Sequence, residues 1–163
     1  MNNIQIVFVS IFALLIQFFL VDFLSLNLIR PDFLVIFILY IALYKGKFAG
    51  TLAGFTLGLL SNLFGVGSFF GLEALSFSIV GYLAGYLSKS YEKLLPYIFH
   101  SLWLLIIFLH FFIICYFRFQ NIYLSDTSDF IFKWFASASY TLLFLIAAQF
   151  IYPLKEASNA EIS

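Results

Sequence analysis

Long runs of apolar residues, separated by short polar segments, follow one another along the whole chain. The runs lie near residues 4–21, 32–44, 48–66, 72–88, 96–117 and 132–152. A helix rises about 1.5 Å per residue, so it needs about 20 apolar residues to cross about 30 Å of hydrocarbon. The pattern therefore predicts an all-α, polytopic membrane protein of about six transmembrane helices.

The composition supports a membrane environment and leaves little room for a soluble domain. Of the 163 residues, 64% are hydrophobic and 10% are charged, whereas soluble domains carry about 25% charged residues. The six runs use most of the chain, so we expect a single integral membrane domain over residues 1–163. The longest polar stretch, from Arg118 to Lys133, has the size of one loop.

The charged residues are divided unequally between the two predicted sides of the membrane. One side has five basic residues, Lys45, Lys47, Lys89, Lys93 and Lys155. The other side has three basic and five acidic residues, namely Arg30, Arg118, Lys133, Asp22, Asp32, Glu73, Asp126 and Asp129. The positive-inside rule then places both termini in the cytoplasm. The basic residues are dispersed and the net charge is zero, which argues against a nucleic-acid partner.

Glycines recur every four residues in the third run and form a predicted groove along one helix face. They are Gly46, Gly50, Gly54 and Gly58, and the fourth run offers a matching pair, Gly81 and Gly85. Small residues allow helices to approach closely in lipid, where packing is a main source of association energy. Two alternatives follow: the two helices pack on each other within the chain, or the groove binds a helix of a partner.

The segment 61–73 is rich in glycine and too apolar for an ordinary solvated loop. Irregular backbone at membrane depth must be covered by protein or line a cavity, so we predict a re-entrant or partly buried turn that includes Asn62 and Gly71. Glu73 follows at the start of the fourth run. It either caps that helix, whose positive end favours a carboxylate, or contacts a partner or ligand.

A second polar cluster, Arg30, Pro31 and Asp32, precedes only twelve uncharged residues, 33–44. Those twelve residues span about 18 Å as a helix, less than the hydrocarbon thickness. We hypothesise that the cluster lies below the outer membrane surface, with a loop at the interface as the alternative. Pro31 can open the helix, Asp32 can meet its positive end, and Arg30 can pair with Asp32 or Asp22.

The sequence gives no motif for catalysis, a cofactor or a metal ion. Cys115 is the only cysteine, and His100 and His110 are about 15 Å apart along one predicted helix, too far to share a metal. Each histidine is predicted to be a lone polar group. No phosphate-binding loop or nucleophile motif occurs.

Several of these segments together resemble the rod shape-determining protein MreD family. The matching residues are 29–35 (IRPDFLV) with Leu39 and Tyr40, then 50–60 (GTLAGFTLGLL), 71–75 (GLEAL) and 81–85 (GYLAG). The chain departs from the family at two positions. Asn62 stands where an aspartate is frequent, and Glu73 replaces a frequent basic residue.

The resemblance implies a non-enzymatic protein of the bacterial inner membrane that pairs with MreC. Through MreC it would reach the MreB filament and the peptidoglycan synthases of lateral wall growth. The family is also similar in fold to the six-helix substrate-binding subunits of energy-coupling-factor transporters, so vitamin capture is the alternative function. That alternative would use outer-side polar groups, namely Asn27, Arg30, Asp32, Asn62 and Glu73. A homodimer remains open.

Overall fold

The computed structural model describes residues 3–26, 29–63 and 69–159, which form six long and two short helices. The long helices are α1 (Asn3–Phe23), α2 (Phe33–Lys45), α3 (Lys47–Leu63), α4 (Leu72–Tyr86), α5 (Pro96–Arg118) and α7 (Thr127–Ile151). The short helices are α6 (Gln120–Ser125) and α8 (Leu154–Asn159). The prediction of an all-helical protein is therefore confirmed. The central part of the predicted re-entrant turn, 64–68, lies outside the described residues.

Two of the long helices meet the length and composition of a membrane span. The 23 residues of α5 and the 25 residues of α7 are long and apolar enough to cross a bilayer. Shorter apolar helices lie in the segments Phe8–Val21, Phe33–Lys45 and Leu72–Tyr86. Many large apolar side chains on the outside of the bundle are exposed, as expected where lipid is the solvent.

The helix α2 lies at the centre of the bundle and contacts α1, α3, α4, α7 and α8. Its buried residues point in every direction around the helix axis, from Leu34 to Leu43. A helix that is apolar all round has no face for water and must be buried. Its 13 residues make it about 20 Å long, which is shorter than the hydrocarbon thickness.

The helices α3 and α4 make the largest contact between any two described helices, and glycines allow it. A Cβ atom at Gly54 would collide with the carbonyl group of Phe77, and one at Gly58 with the backbone of Ala74. From the other side, a Cβ atom at Gly81 would collide with the carbonyl group of Gly50. The backbones therefore touch, and the first alternative holds: these glycine faces are filled within the chain.

Gly85 and Gly50 extend the same contact toward the lysine-rich end. A Cβ atom at Gly85 would meet the backbone of Lys47, and one at Gly50 would lie 2.6 Å from the Cβ atom of Ala42. Gly46 does not belong to the ladder, contrary to the prediction. It lies between α2 and α3 with φ 86°, a left-handed conformation that side chains disfavour and that lets the chain turn.

The stretch from Arg118 to Lys133, which has the size of one loop, contains the short helix α6 and the first turns of α7. The Oδ1 atom of Asp126 accepts hydrogen bonds from the N–H groups of Ser128 and Asp129, at 2.9 and 3.3 Å, and so caps α7. Asp129 also pairs with Lys133, with Nζ 3.0 Å from Oδ2. Polar residues suit the start of this helix, because the cap satisfies N–H groups of its first turn and the ion pair joins side chains four residues apart.

The five lysines assigned to one side by sequence lie in segments at one end of the bundle, here called the basic end. Lys47 lies over the ring of Tyr86 at 5.0 Å, which joins the start of α3 to the end of α4. Lys155 lies over the ring of Tyr91 at 6.0 Å. The segment that follows α7 thus contacts the loop between α4 and α5.

The short helix α8 is docked firmly at the basic end. Leu154, Ala157 and Ser158 are buried. The hydroxyl group of Ser158 donates a hydrogen bond to the carbonyl oxygen of Leu87 at 2.8 Å. The carbonyl oxygen of Ser158 accepts a hydrogen bond from the N–H group of Lys89 at 2.6 Å. Lys89 has a left-handed φ of 57°, so this contact holds a backbone conformation that lysine disfavours.

We expect Gly54→Ala to lower the stability of the protein because no space exists for one methyl group between α3 and α4. Overpacking of this kind costs about 1–3 kcal/mol. The midpoint of thermal unfolding of the purified protein in detergent measures the effect. Thr56→Leu is the control, since it adds volume on an exposed position of the same helix. An equal loss in both variants would contradict the packing described.

Candidate functional site

The polar cluster predicted from the sequence forms the start of α2. Asp32 is the N-cap: its Oδ1 atom accepts hydrogen bonds from the N–H groups of Leu34 and Val35 at 3.0 and 3.1 Å. Pro31 precedes the cap and is buried, while Arg30 and Asp32 are partly buried. The hypothesis that Asp32 meets the positive end of a helix is confirmed, and the cluster lies within the bundle.

Two other helices satisfy further N–H groups at this helix start. The N–H group of Asp32 donates to Oγ1 of Thr141 on α7 at 3.0 Å. The N–H group of Phe33 donates to Oε1 of Gln17 on α1 at 2.9 Å. A helix leaves its first N–H groups without partners inside the helix, and lipid offers none. Side chains of α1 and α7 therefore replace water at the start of α2.

His110 on α5 joins this site, so its prediction as a lone polar group was wrong. Its Nε2 atom lies 3.3 Å from Oδ2 of Asp32, and its Nδ1 atom lies 2.8 Å from Oγ of Ser76 on α4. The ring stacks on Phe77, with centroids 5.2 Å apart. A polar ring inside a bilayer needs hydrogen-bond partners. The position of His110 in an apolar helix was therefore the one feature of the sequence that indicated a polar site at this place.

Ser76, His110 and Asp32 include the three residue types of a hydrolase triad, but their placement favours a structural role. Ser76 is 0% exposed and His110 is 1% exposed, so a substrate cannot reach the hydroxyl group of Ser76 in this conformation. Asp32 already accepts two backbone hydrogen bonds. The three side chains link α2, α4 and α5 through buried hydrogen bonds, each of which fixes the position of a helix.

A small cavity of about 40 Å³ lies beside this network. Its lining residues are Gln17, Val21, Arg30, Pro31, Asp32, Glu73, Phe111, Ile114 and Arg118. Two carboxylates and two guanidinium groups thus face one space, and their formal charges cancel. The volume suffices for water, which needs about 10–15 Å³ of such space per molecule.

Glu73 lines this cavity and does not cap α4 through its side chain, contrary to one of the two predictions for it. Gly71 is the N-cap, with a left-handed φ of 87°, and the cap has no side-chain hydrogen bond. Glu73 is 8% exposed. Within the described part of the chain, its Oε2 atom has no hydrogen-bond partner. Its carboxylate is turned toward the cavity and away from the helix end.

Most of the residues singled out from the sequence fall into two groups. Arg30, Pro31, Asp32 and Glu73 line one cavity, while the ladder glycines lie between α3 and α4. Asn62 lies near the end of α3, where its Nδ2 atom donates to the carbonyl oxygen of Gly58 at 2.7 Å. Gln17, Ser76, His110, Arg118 and Thr141 were missed, because nothing in their spacing shows which helices meet.

The comparison with protein families gives one finding. The model of the family described as rod shape-determining protein MreD matches residues 2–154. The match covers nearly the whole chain and includes both the polar cluster at the start of α2 and the glycines of α3 and α4. No curated protein and no solved structure matches the chain.

We expect Asp32→Ala to destabilise the protein more than Asp32→Asn does. Asparagine keeps the N-cap, whereas alanine removes it at a cost of about 0.5–2 kcal/mol and also deprives His110 of a partner. Chemical unfolding in detergent, followed by circular dichroism, measures both losses. Asp126→Ala is the matched control, because Asp126 caps α7 with the same geometry at an exposed position.

A double-mutant cycle with His110→Phe tests the coupling between the two side chains. If Asp32 and His110 interact as described, the double variant loses less stability than the sum of the single variants, by about 0.5–3 kcal/mol. Additive losses would mean that the contact between α2 and α5 contributes nothing.

Proposed function

We propose that this chain, which belongs to the MreD family of rod shape-determining proteins, is a non-enzymatic scaffold of the bacterial cell-elongation complex. It pairs in the inner membrane with MreC, a protein with a single membrane span, and through MreC it acts on the MreB filament and the peptidoglycan synthases. The observation that carries this proposal is the family match over residues 2–154.

All six long helices lie in the membrane in this proposal, with α2 beginning inside it, and the basic end faces the cytoplasm. Five lysines lie in the segments of that end, which agrees with the positive-inside rule. Both termini then lie on the cytoplasmic side. The helix α2 is shorter than the hydrocarbon thickness, and this is tolerated because side chains of α1 and α7 satisfy the N–H groups at its start. These helices form one membrane domain.

We expect the partner helix to bind on the lipid-facing outside of the helix bundle, because the glycine faces of α3 and α4 already pack on each other. We propose the groove between α5 and α7, a space of about 790 Å³ with a mainly aromatic and aliphatic lining. Its lining includes Tyr97, His100, Ser101, Leu105, Phe112 and Trp134. The groove follows α5 from Tyr97 to Phe112 and is bordered on α7 by Trp134 and Phe135, so a third helix can lie along α5.

Polar side chains in the groove favour a helix over lipid as its occupant. His100 and Ser101 are exposed in the second turn of α5. His100 is not the lone polar group predicted from the sequence, because its Nδ1 atom accepts a hydrogen bond from Nε1 of Trp103 at 3.0 Å. Polar groups that face lipid are unfavourable, and hydrogen bonds between helices satisfy them. At the opposite end, the partly buried Arg30 is a candidate contact for the partner, whereas Glu73 is 8% exposed and faces the small cavity.

The alternative function, capture of a vitamin, receives no support from the comparisons. The outer-side polar residues that it would use, Arg30, Asp32 and Glu73, line a cavity of about 40 Å³. Ligand pockets have volumes of about 300–1,000 Å³. Asn27, also assigned to such a pocket, lies outside the described residues. The likeness in fold to the vitamin-binding subunits stays a prediction.

We expect Leu105→Trp to weaken the binding of MreC, because the larger ring fills the groove between α5 and α7. The chain is co-expressed with tagged MreC from the same genome, and the amount that co-purifies in mild detergent is measured. Leu75→Trp is the matched control, since Leu75 is similarly exposed on α4 and outside this groove.

Rod shape provides the functional measurement. Cells depleted of their own copy are rescued with the wild-type or variant gene, and their length-to-width ratio is recorded. The wild-type chain should restore rods and Leu105→Trp should leave rounded cells. Failure of the wild-type chain to bind MreC at all would contradict the scaffold, whereas equal binding by both tryptophan variants would contradict only the groove.

A further inference from the structure

A second groove opens between α1 and α7 over the surface of α2. Two adjoining spaces of about 410 and 320 Å³ share five lining residues, Val9, Phe37, Tyr40, Ala148 and Ile151. The first space reaches Ile16 and Phe33, and the second reaches Tyr44 and Lys45. Together they form a continuous channel along α2 that ends at the basic end, here called the α1–α7 groove.

The other end of the α1–α7 groove is closed by hydrogen bonds. The hydroxyl group of Tyr140 on α7 donates to the carbonyl oxygen of Leu24, just after α1, at 3.0 Å. Thr141 and Gln17 hold the start of α2 between the same two helices. The groove is therefore open at the basic end and shut near the middle of α7.

The length of the groove matches one leaflet of the membrane. From Phe33 to Lys45 a helix rises about 18 Å, and half of the hydrocarbon core is about 15 Å thick. A partner helix that crosses the whole membrane needs about 30 Å, and the closed end blocks it. An acyl chain, which extends through one leaflet only, fits the available length.

The lining of the groove also suits a flexible chain. Large side chains, among them Phe12, Phe37, Phe144 and Ile151, are mixed with Ala13, Ala147 and Ala148. An acyl chain can follow such an uneven apolar surface because it bends along its length.

The open end carries a positive charge suited to a phosphate group. Lys45 lines the groove, and its ammonium group lies 5.3 Å from the centre of the Tyr44 ring. Within the part of the chain that the structure describes, Lys45 forms no ion pair with a carboxylate. Beside it, the hydroxyl group of Tyr40 donates to the carbonyl oxygen of Tyr152 at 2.7 Å, which fixes the groove's rim. Lysine binds phosphate as a point charge.

We propose that the α1–α7 groove binds an anionic phospholipid, with one acyl chain along α2 and the phosphate group at Lys45. The lipid belongs to the leaflet at the basic end. It fills the space between α1 and α7 and thereby holds α1 against the bundle where few protein contacts do so. The site is independent of the groove between α5 and α7 proposed for MreC.

Native mass spectrometry of the purified full-length chain tests the proposal. Phosphatidylglycerol and phosphatidylcholine with identical acyl chains are titrated separately, and the bound fraction of each is measured. The wild type should prefer phosphatidylglycerol, and Lys45→Gln should reduce that preference about fivefold, the effect expected for one lysine at an anionic headgroup. Lys93→Gln is the control, since Lys93 is exposed at the same end and away from the groove.

Filling the groove tests the position of the acyl chain. Ala148→Phe, in the shared part of the groove, should reduce the binding of both lipids. Val9→Phe narrows the groove from α1 at an exposed position, and it serves as a second variant if Ala148→Phe proves unstable.

Three outcomes would overturn the proposal. Equal losses in Lys45→Gln and Lys93→Gln would indicate diffuse surface charge and no site. Unchanged lipid binding in a folded Val9→Phe variant would place the acyl chain elsewhere. Loss of MreC from Val9→Phe, with lipid binding intact, would assign the groove to the partner helix.

Discussion

The structure depends on one requirement: the start of a helix that lies inside a membrane protein must be satisfied without water. The first N–H groups of α2 have no partners in their own helix, and each buried group left alone costs free energy comparable to a lost hydrogen bond. Asp32 satisfies two of these groups, and Thr141 and Gln17 satisfy two more. Because these acceptors come from different helices, the helix start also fixes α1 and α7 around α2, and His110 adds α5 and α4.

The second determinant is the direct contact of two backbones between α3 and α4. Hydrophobic burial does not draw helices together in lipid, so close packing must do so. The glycines of both helices allow it along the whole interface. The grooves that we propose as binding surfaces are then left on the outside, between α5 and α7 and between α1 and α7. This division suits a scaffold, whose interior is fixed and whose surface is shaped for its neighbours.

The main features of the fold could be predicted from the sequence because they are local. Apolar runs predict helices, an aspartate after proline predicts a helix start, and glycines four residues apart predict close packing. The features that could not be predicted depend on contacts between distant residues. His110 is 78 residues from Asp32, and nothing in an apolar run indicates where its histidine points. Glu73 sits where a cap is expected, yet its carboxylate faces a cavity formed by four elements. The helix α6 has six residues and lies in a polar stretch, so no apolar run predicts it.

The docking of α8 has a consequence for the order in which the molecule is completed during synthesis. The turn after α4 includes Lys89 in a left-handed conformation, and its N–H group donates to the carbonyl oxygen of Ser158, some 70 residues later in the chain. Domains form as the chain leaves the ribosome, from the N-terminal side onward. The loop between α4 and α5 therefore waits for a segment that is made after α5 and α7, and the cytoplasmic face that we propose takes its final shape only after both of those helices have been inserted.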